Sequence, residues 1–132
     1  IIGMTQIMTG SQDPEKINRG IQQIDKSAKH LLGIINDILD FSKIESGKLE
    51  LVLDDYVFSS LVNDVINIIR MRVLDSPVRF VTNIDSNIPN KLFGDEVRIR
   101  QIILNLLSNA VKYTEKGFVA LNISCTQQPR GA

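Results

Sequence analysis

Apolar residues recur with helical spacing over the first third of the chain. Seven of them alternate steps of four and three residues: Ile17, Ile21, Ile24, Ala28, Leu31, Ile35 and Ile38. This spacing is typical of the seam of a helical bundle or coiled coil. Four further apolar residues widen the face beyond a two-stranded seam, at Leu32, Ile34, Leu39 and Phe41. The pattern predicts a helix over residues 14–42, capped by Asp13 and begun by Pro14.

A wide apolar face on a long helix needs a large covering surface. At about 1.5 Å per residue the helix is roughly 43 Å long, whereas the helical pattern before it covers only residues 1–9. We therefore predict that residues 1–46 form a helical hairpin, and that two copies dimerise through residues 14–42 into a four-helix bundle. Gly47 is expected to end the helix.

Residues 47–132 change to a mixed pattern, in which short alternating runs flank two helical ones. Alternation predicts strands at residues 48–53, 78–84, 91–93 and 118–125. After the first strand, Ser59 or Ser60 is predicted to cap a helix. Its predicted apolar face consists of Leu61, Val65, Ile68, Ile69 and Val73. The chain is therefore predicted to be α+β, with a second domain over residues 47–132.

The second helical run, from Gly94 to Gly117, is mostly apolar apart from one line of polar side chains. Asp95 is placed to cap its start, and Gly117 to stop it. Spacings of three and four put five polar residues on one face. We call these five the polar stripe: Arg98, Gln101, Asn105, Asn109 and Lys112.

The chemistry of the polar stripe allows two interpretations. Asparagine competes for backbone groups within a helix, and a buried amide without a partner costs about 1–3 kcal/mol. Either Asn105 and Asn109 bond to neighbouring backbone, or a polar ligand lies along the stripe. Amide oxygens suit a hard cation such as Mg²⁺, which keeps phosphates around it. Lys112 would then supply positive charge for phosphate.

The helix closely resembles the asparagine-box helix of sensor histidine kinases. The matching pattern is Asp95-x-x-Arg98-x-x-Gln101-Ile102-x-x-Asn105-Leu106-x-x-Asn109-Ala110-x-Lys112-Tyr113-Thr114-x-x-Gly117. That helix belongs to the ATP-binding fold that these kinases share with the Hsp90, gyrase and MutL group. The resemblance implies a partial α/β-sandwich of this type over residues 47–132, with ATP and Mg²⁺ as cofactors.

The resemblance implies a role for each matching residue. Asn105 and Asn109 resemble the residues that hold magnesium and triphosphate, with Asn109 preferred as the direct metal ligand. Lys112 resembles the phosphate-contacting lysine and Tyr113 the aromatic residue beside the adenine, with ordinary core packing as the alternative for Tyr113. Arg98 resembles the arginine near the γ-phosphate or the phosphoacceptor, with a surface charge as its alternative. Asn105 and Arg98 are the candidate catalytic residues.

A second match to the same family is independent of the first. Residues 30–51 resemble the second dimerisation helix of these kinases and its exit into the ATP-binding domain. His30 is followed by two leucines rather than by the acidic residue and Arg-x-Pro element of the family's phosphoacceptor. We therefore expect His30 to be structural, paired with Asp25 or Asp37, and the acceptor histidine to lie upstream of Ile1.

The resemblance does not extend to all of the family's motifs. No Asp-x-Gly-x-Gly sequence follows the asparagine-rich helix, and no later glycine-rich motif is present. In the family these residues bond the adenine amino group and form the lid around the phosphates. We expect a fragment of a longer kinase that binds nucleotide weakly or not at all by itself. The alternative is a dimeric scaffold or interaction module with a degenerate nucleotide fold.

The resemblance also implies a reaction and a partner. The parent kinase would use Mg-ATP to phosphorylate a histidine, and would pass the phosphate to an aspartate on the receiver domain of a response regulator. Composition argues against other partners, because 15 Lys and Arg residues balance 15 Asp and Glu residues. That balance gives no basic surplus for nucleic acid or an anionic membrane.

Composition also bears on location. Apolar runs are far shorter than the roughly 18–20 residues of a membrane span. The single cysteine, Cys125, excludes an internal disulfide framework. We expect a cytoplasmic location, either free or as the cytoplasmic portion of a membrane-anchored sensor, with no membrane contact by this segment.

Overall fold

The computed structural model describes residues 13–128. The helix predicted over residues 1–9 therefore lies outside the described residues. Backbone contacts divide the chain into two units, the first ending at Glu50 and the second beginning at Leu51.

Within its described residues, 13–50, the first unit contains one long helix, α1 (Pro14–Glu45). The Asp13 carboxylate accepts the Glu15 N–H at 3.0 Å, so the predicted cap and start are confirmed. At the other end the Gly47 N–H donates to the Ile44 carbonyl at 3.1 Å. Gly47 has φ of 68°, a left-handed conformation that glycine adopts without steric cost. Gly47 therefore ends the helix as predicted.

The apolar seam of α1 is exposed in the single chain. The seam residues Leu31, Ile35 and Ile38 are all exposed, Ile38 to 58% of its surface, as are the residues that widen the face. Contiguous apolar surface of this extent is typical of an interaction site on a protein in water. The described helix therefore needs a covering partner.

The second unit consists of two strand–helix–strand segments side by side. The first segment is β1 (Asp54–Val57), α2 (Phe58–Val73) and β2 (Val78–Ile84). The second is β3 (Lys91–Gly94), α3 (Glu96–Tyr113) and β4 (Gly117–Ile123). β1 pairs antiparallel with β3, and β2 pairs parallel with β4. The strand predicted at 78–84 is confirmed, the strands predicted at 91–93 and 118–125 are each found with ends shifted by one or two residues, and the predicted α+β class is confirmed.

The core of the second unit lies where α2 and α3 cover β2 and β4. Its centre is formed by three almost fully buried residues of α2, Leu61, Val65 and Ile69. The remaining buried apolar residues are Val62, Val78, Leu107 and Val119. Burying one such side chain contributes about 1.5–3 kcal/mol, so this layer holds α3 in place.

The two helices run in the same direction. Arg100 Nη2 of α3 lies 3.3 Å from the Asp64 carboxylate of α2, and Arg72 of α2 donates to the Ser108 hydroxyl of α3. Arg72 lies eight residues after Asp64 on α2, and Ser108 lies eight residues after Arg100 on α3. The parallel arrangement places the last turn of α2 beside Ser108 of α3.

One predicted strand is wrong. Residues 48–53 form no regular structure, and the strand lies at Asp54–Val57 instead. The ladder ends where Asp54 faces Gly94, so the earlier residues have no strand to pair with. The N–H of Val52 donates to the Asp95 carboxylate at 3.0 Å, and its side chain is 76% exposed.

The predicted cap of α2 is also wrong. The helix begins at Phe58, before both Ser59 and Ser60, and receives no side-chain cap from its own N-cap residue. Asn90 takes that place from the loop before β3: its carbonyl accepts the Phe58 N–H at 2.8 Å, and its side-chain oxygen accepts the Ser59 N–H at 2.9 Å. The predicted apolar face is otherwise right, except that Val62 is buried and Ile68 is exposed.

Candidate functional site

Asp95 fixes the start of α3 and hence the position of the polar stripe. One carboxylate oxygen accepts the Arg98 N–H at 3.2 Å, and the other accepts the Val52 N–H at 3.0 Å. The side chain is buried. These two backbone donors, Val52 first, hold the pKa of Asp95 below its usual range. The predicted cap is confirmed, with a second contact that the sequence did not indicate.

The end of α3 is set by a threonine before the predicted glycine stop. The Thr114 hydroxyl donates to the Ala110 carbonyl at 2.7 Å, and the helix ends at Tyr113. Gly117, with φ of 112°, opens β4 instead. The last residues of the helix, Lys112 and Tyr113, are therefore followed by a turn rather than by further helix.

The two asparagines of the polar stripe point into solvent. Both Asn105 and Asn109 are exposed, and neither side chain makes a hydrogen bond to another residue between 13 and 128. Bonding to neighbouring backbone is therefore not what the structure shows. Earlier in the stripe, Arg98 Nη1 donates to Gln101 Oε1 at 3.1 Å, and both residues are half-buried. The stripe thus has a bonded first half and an open second half.

Lys112 and Tyr113 lie together at the end of the stripe. The ammonium of Lys112 is 5.4 Å from the centroid of the Tyr113 ring, an arrangement that contributes about 0.5–1 kcal/mol at an exposed site. Tyr113 is 76% exposed, so it does not belong to the core of the described residues. Both side chains are free to contact a ligand that lies against the stripe.

A cleft opens between α2 and α3 beside the stripe. Its volume is about 390 Å³, and we call it the α2–α3 cleft. Its lining residues are Arg72, Val97, Arg100, Gln101, Leu104, Asn105 and Ser108. Asn105 therefore belongs both to the polar stripe and to the cleft.

The two arginines of the α2–α3 cleft differ in their surroundings. Arg100 is half-buried and paired with Glu96 at 2.8 Å and Asp64 at 3.3 Å. Arg72 is exposed and bonds to the Ser108 hydroxyl. Sequence reasoning missed Arg72 and Ser108 as site residues, because no periodicity within one helix shows which residue of another helix faces it.

The opposite flank of the stripe is apolar. Ile102 and Leu106 are more than half exposed. Next to them, α3 and residues 119–122 of β4 line an open groove of about 410 Å³. Ligand sites are commonly apolar with a few placed polar groups. A stripe with charge on one side and apolar surface on the other has the composition that phosphates and a base would require.

A magnesium ion at this site would depend on the asparagines. Within the part of the chain that the structure describes, no cluster of three or more His, Cys, Asp or Glu side chains could hold a metal ion. Amide and phosphate oxygens are ligands that Mg²⁺ accepts. The exposed amides of Asn105 and Asn109 fit that chemistry.

His30 does not make the predicted pairing. It is exposed on α1 and forms no ion pair or hydrogen bond with another residue of the described range 13–128. Asp25 pairs instead with Lys29, at 2.9 Å. A residue four positions away lies on the same helix face, which gives Lys29 the advantage over His30.

Comparison with known proteins decides the family. The model of the His Kinase A (phospho-acceptor) domain matches residues 1–47. Hybrid signal transduction histidine kinase E of Dictyostelium discoideum is 38% identical over 128 residues, which cover 97% of this chain. The chain belongs to the sensor histidine kinase family. It spans only 8% of the length of that Dictyostelium kinase.

Solved structures of histidine kinases share the fold. Full-length ShkA, solved in complex with AMPPNP, is 30% identical with a TM-score of 0.70, over 94% of this chain and 27% of ShkA. ThkA, solved in complex with the response regulator TrrA, has a TM-score of 0.56 over 92% of this chain and 36% of that chain, at 20% identity. ThkA therefore shows likeness of fold only. None of the helices described between residues 13 and 128 has the length and apolar character needed to pass through a bilayer.

Proposed function

We propose that this histidine kinase chain serves ATP-dependent phosphotransfer. Residues 1–46 would belong to the dimerisation hairpin, which pairs with a second copy through residues 14–42. Residues 47–132 would form the N-terminal half of the ATP-binding domain. The parent protein, which we place in the cytoplasm either free or as the cytoplasmic portion of a membrane-anchored sensor, phosphorylates a histidine and passes the phosphoryl group to a response regulator.

One observation carries the proposal: two unpartnered asparagines on α3 lie in line with a lysine. Asparagine lowers helix stability relative to most residues, and the exposed amides of Asn105 and Asn109 gain no compensating hydrogen bond in the described chain. Magnesium and a triphosphate lying along the stripe would give these amides and Lys112 binding partners. The complex of ShkA with AMPPNP supports this assignment by family likeness.

The residues of the polar stripe and the neighbouring Tyr113 have different roles in the proposed binding. Tyr113 lies beside the adenine, Lys112 offsets the charge of the phosphates, and Asn105 and Asn109 offer oxygens to the metal. Bound magnesium supplies positive charge to the phosphate oxygens. Arg98, held by Gln101 at the start of the stripe, faces the γ-phosphate or the phosphoacceptor.

The reaction transfers one phosphoryl group twice. A nitrogen of the acceptor histidine forms a bond to the γ-phosphorus, the bond between that phosphorus and the bridging oxygen breaks, and ADP leaves. A carboxylate oxygen of the regulator's aspartate then takes the phosphoryl group and the histidine is released. His30 is not assigned the acceptor role, because it lies on the second helix of the hairpin.

Nucleotide titration of the full-length kinase tests the proposal. We expect Asn109→Ala to weaken MgAMPPNP binding by about tenfold or more, because a lost interaction with a charged group costs about 1.5–3 kcal/mol. Asn67→Ala, an exposed asparagine on α2, is the matched control and should bind like the wild type. Isothermal titration calorimetry gives both dissociation constants.

The same titration separates the two functional classes. Equal binding with and without the Asn109 side chain would contradict the assignment of Asn109 to the nucleotide site. Full-length protein that binds no MgAMPPNP would contradict the phosphotransfer proposal itself. The dimeric scaffold with a degenerate nucleotide fold would then be the better description. The chain of residues 1–132 alone is expected to bind weakly or not at all, and micromolar binding by it would refute that expectation.

A further inference from the structure

The α2–α3 cleft contains a cation that the family pattern does not assign. Arg72 comes from α2, outside the asparagine-rich helix, and lies in the same cleft as Asn105. Its position is fixed by the bond from its guanidinium to the Ser108 hydroxyl. Ser108 immediately precedes Asn109 in the sequence, so the contact ties Arg72 to the open half of the polar stripe.

The charge of Arg72 is available to a ligand. Arg100, the other arginine of the cleft, is offset by the carboxylates of Asp64 and Glu96. No carboxylate among residues 13–128 lies within ion-pair distance of Arg72. A guanidinium carries five N–H donors, and the bond to Ser108 uses one of them. The remaining donors suit phosphate oxygens, which arginine can bind in a bidentate manner.

The direction of the nucleotide along α3 follows from the proposed function. If the adenine lies at Tyr113 and the phosphates pass Lys112 and Asn109, the phosphate chain extends toward the start of the helix. Asn105 lies one turn further on, roughly 6 Å at about 1.5 Å per residue. The terminal phosphate is therefore the part of the nucleotide that reaches Asn105 and the mouth of the α2–α3 cleft.

We propose that Arg72 contacts the terminal phosphate of bound ATP and thereby distinguishes ATP from ADP. The proposal rests on the proposed function, since it takes the nucleotide's orientation from it. Ser108 acts as the positioning residue, because its hydroxyl holds the guanidinium across the gap between the two helices. The ligand group is the terminal phosphate of a nucleoside triphosphate, which is joined to its neighbour by an anhydride oxygen. The terminal phosphate of ADP lies one phosphate closer to Asn109.

Binding of MgAMPPNP and MgADP to the full-length kinase tests this. Arg72→Gln removes the charge but keeps a long polar side chain, and we expect it to weaken MgAMPPNP about tenfold and MgADP less than about twofold. Arg72→Lys keeps the charge without the bidentate geometry and should recover part of the loss. Arg70→Gln, an exposed arginine of the same helix that does not line the cleft, should change neither affinity. Thermal unfolding of each variant confirms that it is folded.

The outcomes separate the inference from the function on which it rests. If Asn109→Ala loses nucleotide while Arg72→Gln binds MgAMPPNP like Arg70→Gln, the phosphate assignment of Arg72 is wrong and the nucleotide site stands. If Arg72→Gln weakens MgADP as much as MgAMPPNP, the contact is not with the terminal phosphate and the inference is also wrong. If the wild type binds neither nucleotide, both proposals fall together.

Discussion

A single carboxylate joins two distant parts of the second unit. Asp95 accepts one N–H from the first turn of α3 and another from Val52, 43 residues earlier. The cap could be predicted from sequence because it depends on residues within one turn. The bond to Val52 could not, since it depends on where the chain before β1 passes in space. The same limit applies to Arg72, which meets Ser108 only because two helices lie side by side.

The two donors make the stability of the second unit depend on pH through Asp95. Its pKa is lowered in the folded chain, so the carboxylate stabilises the fold above the ordinary aspartate pKa, and this contribution is lost as the pH falls through the lowered value. Asn at the cap keeps a hydrogen-bond acceptor without the charge. We expect Asp95→Asn to unfold at lower urea concentration than the wild type near neutral pH.

Urea midpoints at a series of pH values check this expectation. The difference between wild type and Asp95→Asn should shrink on acidification through the lowered pKa of Asp95. Asp75→Asn is the control, because Asp75 is an exposed carboxylate of the same unit whereas Asp95 is buried, and it should show no such convergence. A difference that stays constant down to strongly acidic pH would contradict the assigned role of Asp95.

Helices and strands could be predicted where the pattern of apolar residues lies within the element itself. The periodic α1, the core helix α3 and the strand β2 lie where the apolar pattern put them, because each pattern spans the element itself. The start of α2 and the position of β1 differ from prediction for a shared reason. Both depend on the segment around β3, which supplies Asn90 to the helix and the pairing partner to the strand.

Asn90 should therefore behave as a helix cap although it lies outside the helix. Asn90→Ala removes the acceptor of the Ser59 N–H, and a lost cap costs about 1 kcal/mol. We expect the free energy of unfolding to fall by about that amount in urea denaturation. Ser60→Ala tests the cap that the sequence suggested and should stay within about 0.5 kcal/mol of the wild type. A larger loss of stability in Ser60→Ala than in Asn90→Ala would show that Ser60, not Asn90, caps the helix.

At the scale of the whole chain, some features of the candidate site could be predicted from the sequence and others are seen only in the structure. The polar stripe and its apolar background could be predicted, because one helix carries all five residues. The α2–α3 cleft, the exposure of Tyr113 and the open amides required the packing of several elements. The first unit shows a similar division: its seam was predicted from spacing, whereas its exposure is seen only in the structure.

Self-association of the chain should depend on that seam. Replacing Ile35 with Glu puts a charge in a surface that the dimer would bury, and an unpaired buried charge is strongly unfavourable. We expect Ile35→Glu to weaken dimerisation at least about a hundredfold by sedimentation equilibrium, given about 1.5–3 kcal/mol for each buried isoleucine of the pair. Lys26→Glu lies on the opposite face of α1 by helical spacing and should leave the dimer intact. Equal weakening by both changes would argue against the seam as the interface.

The cap of α2 has a consequence for how the second unit selects its correct strand alignment. Lys91 faces Val57 across the ladder, and their neighbours Asn90 and Phe58 are the acceptor and donor of the cap. Slippage by one position would carry Asn90 away from the helix and leave its first N–H groups without acceptors. Asn90 therefore favours one register of the β1–β3 pair, because only that register caps the start of α2.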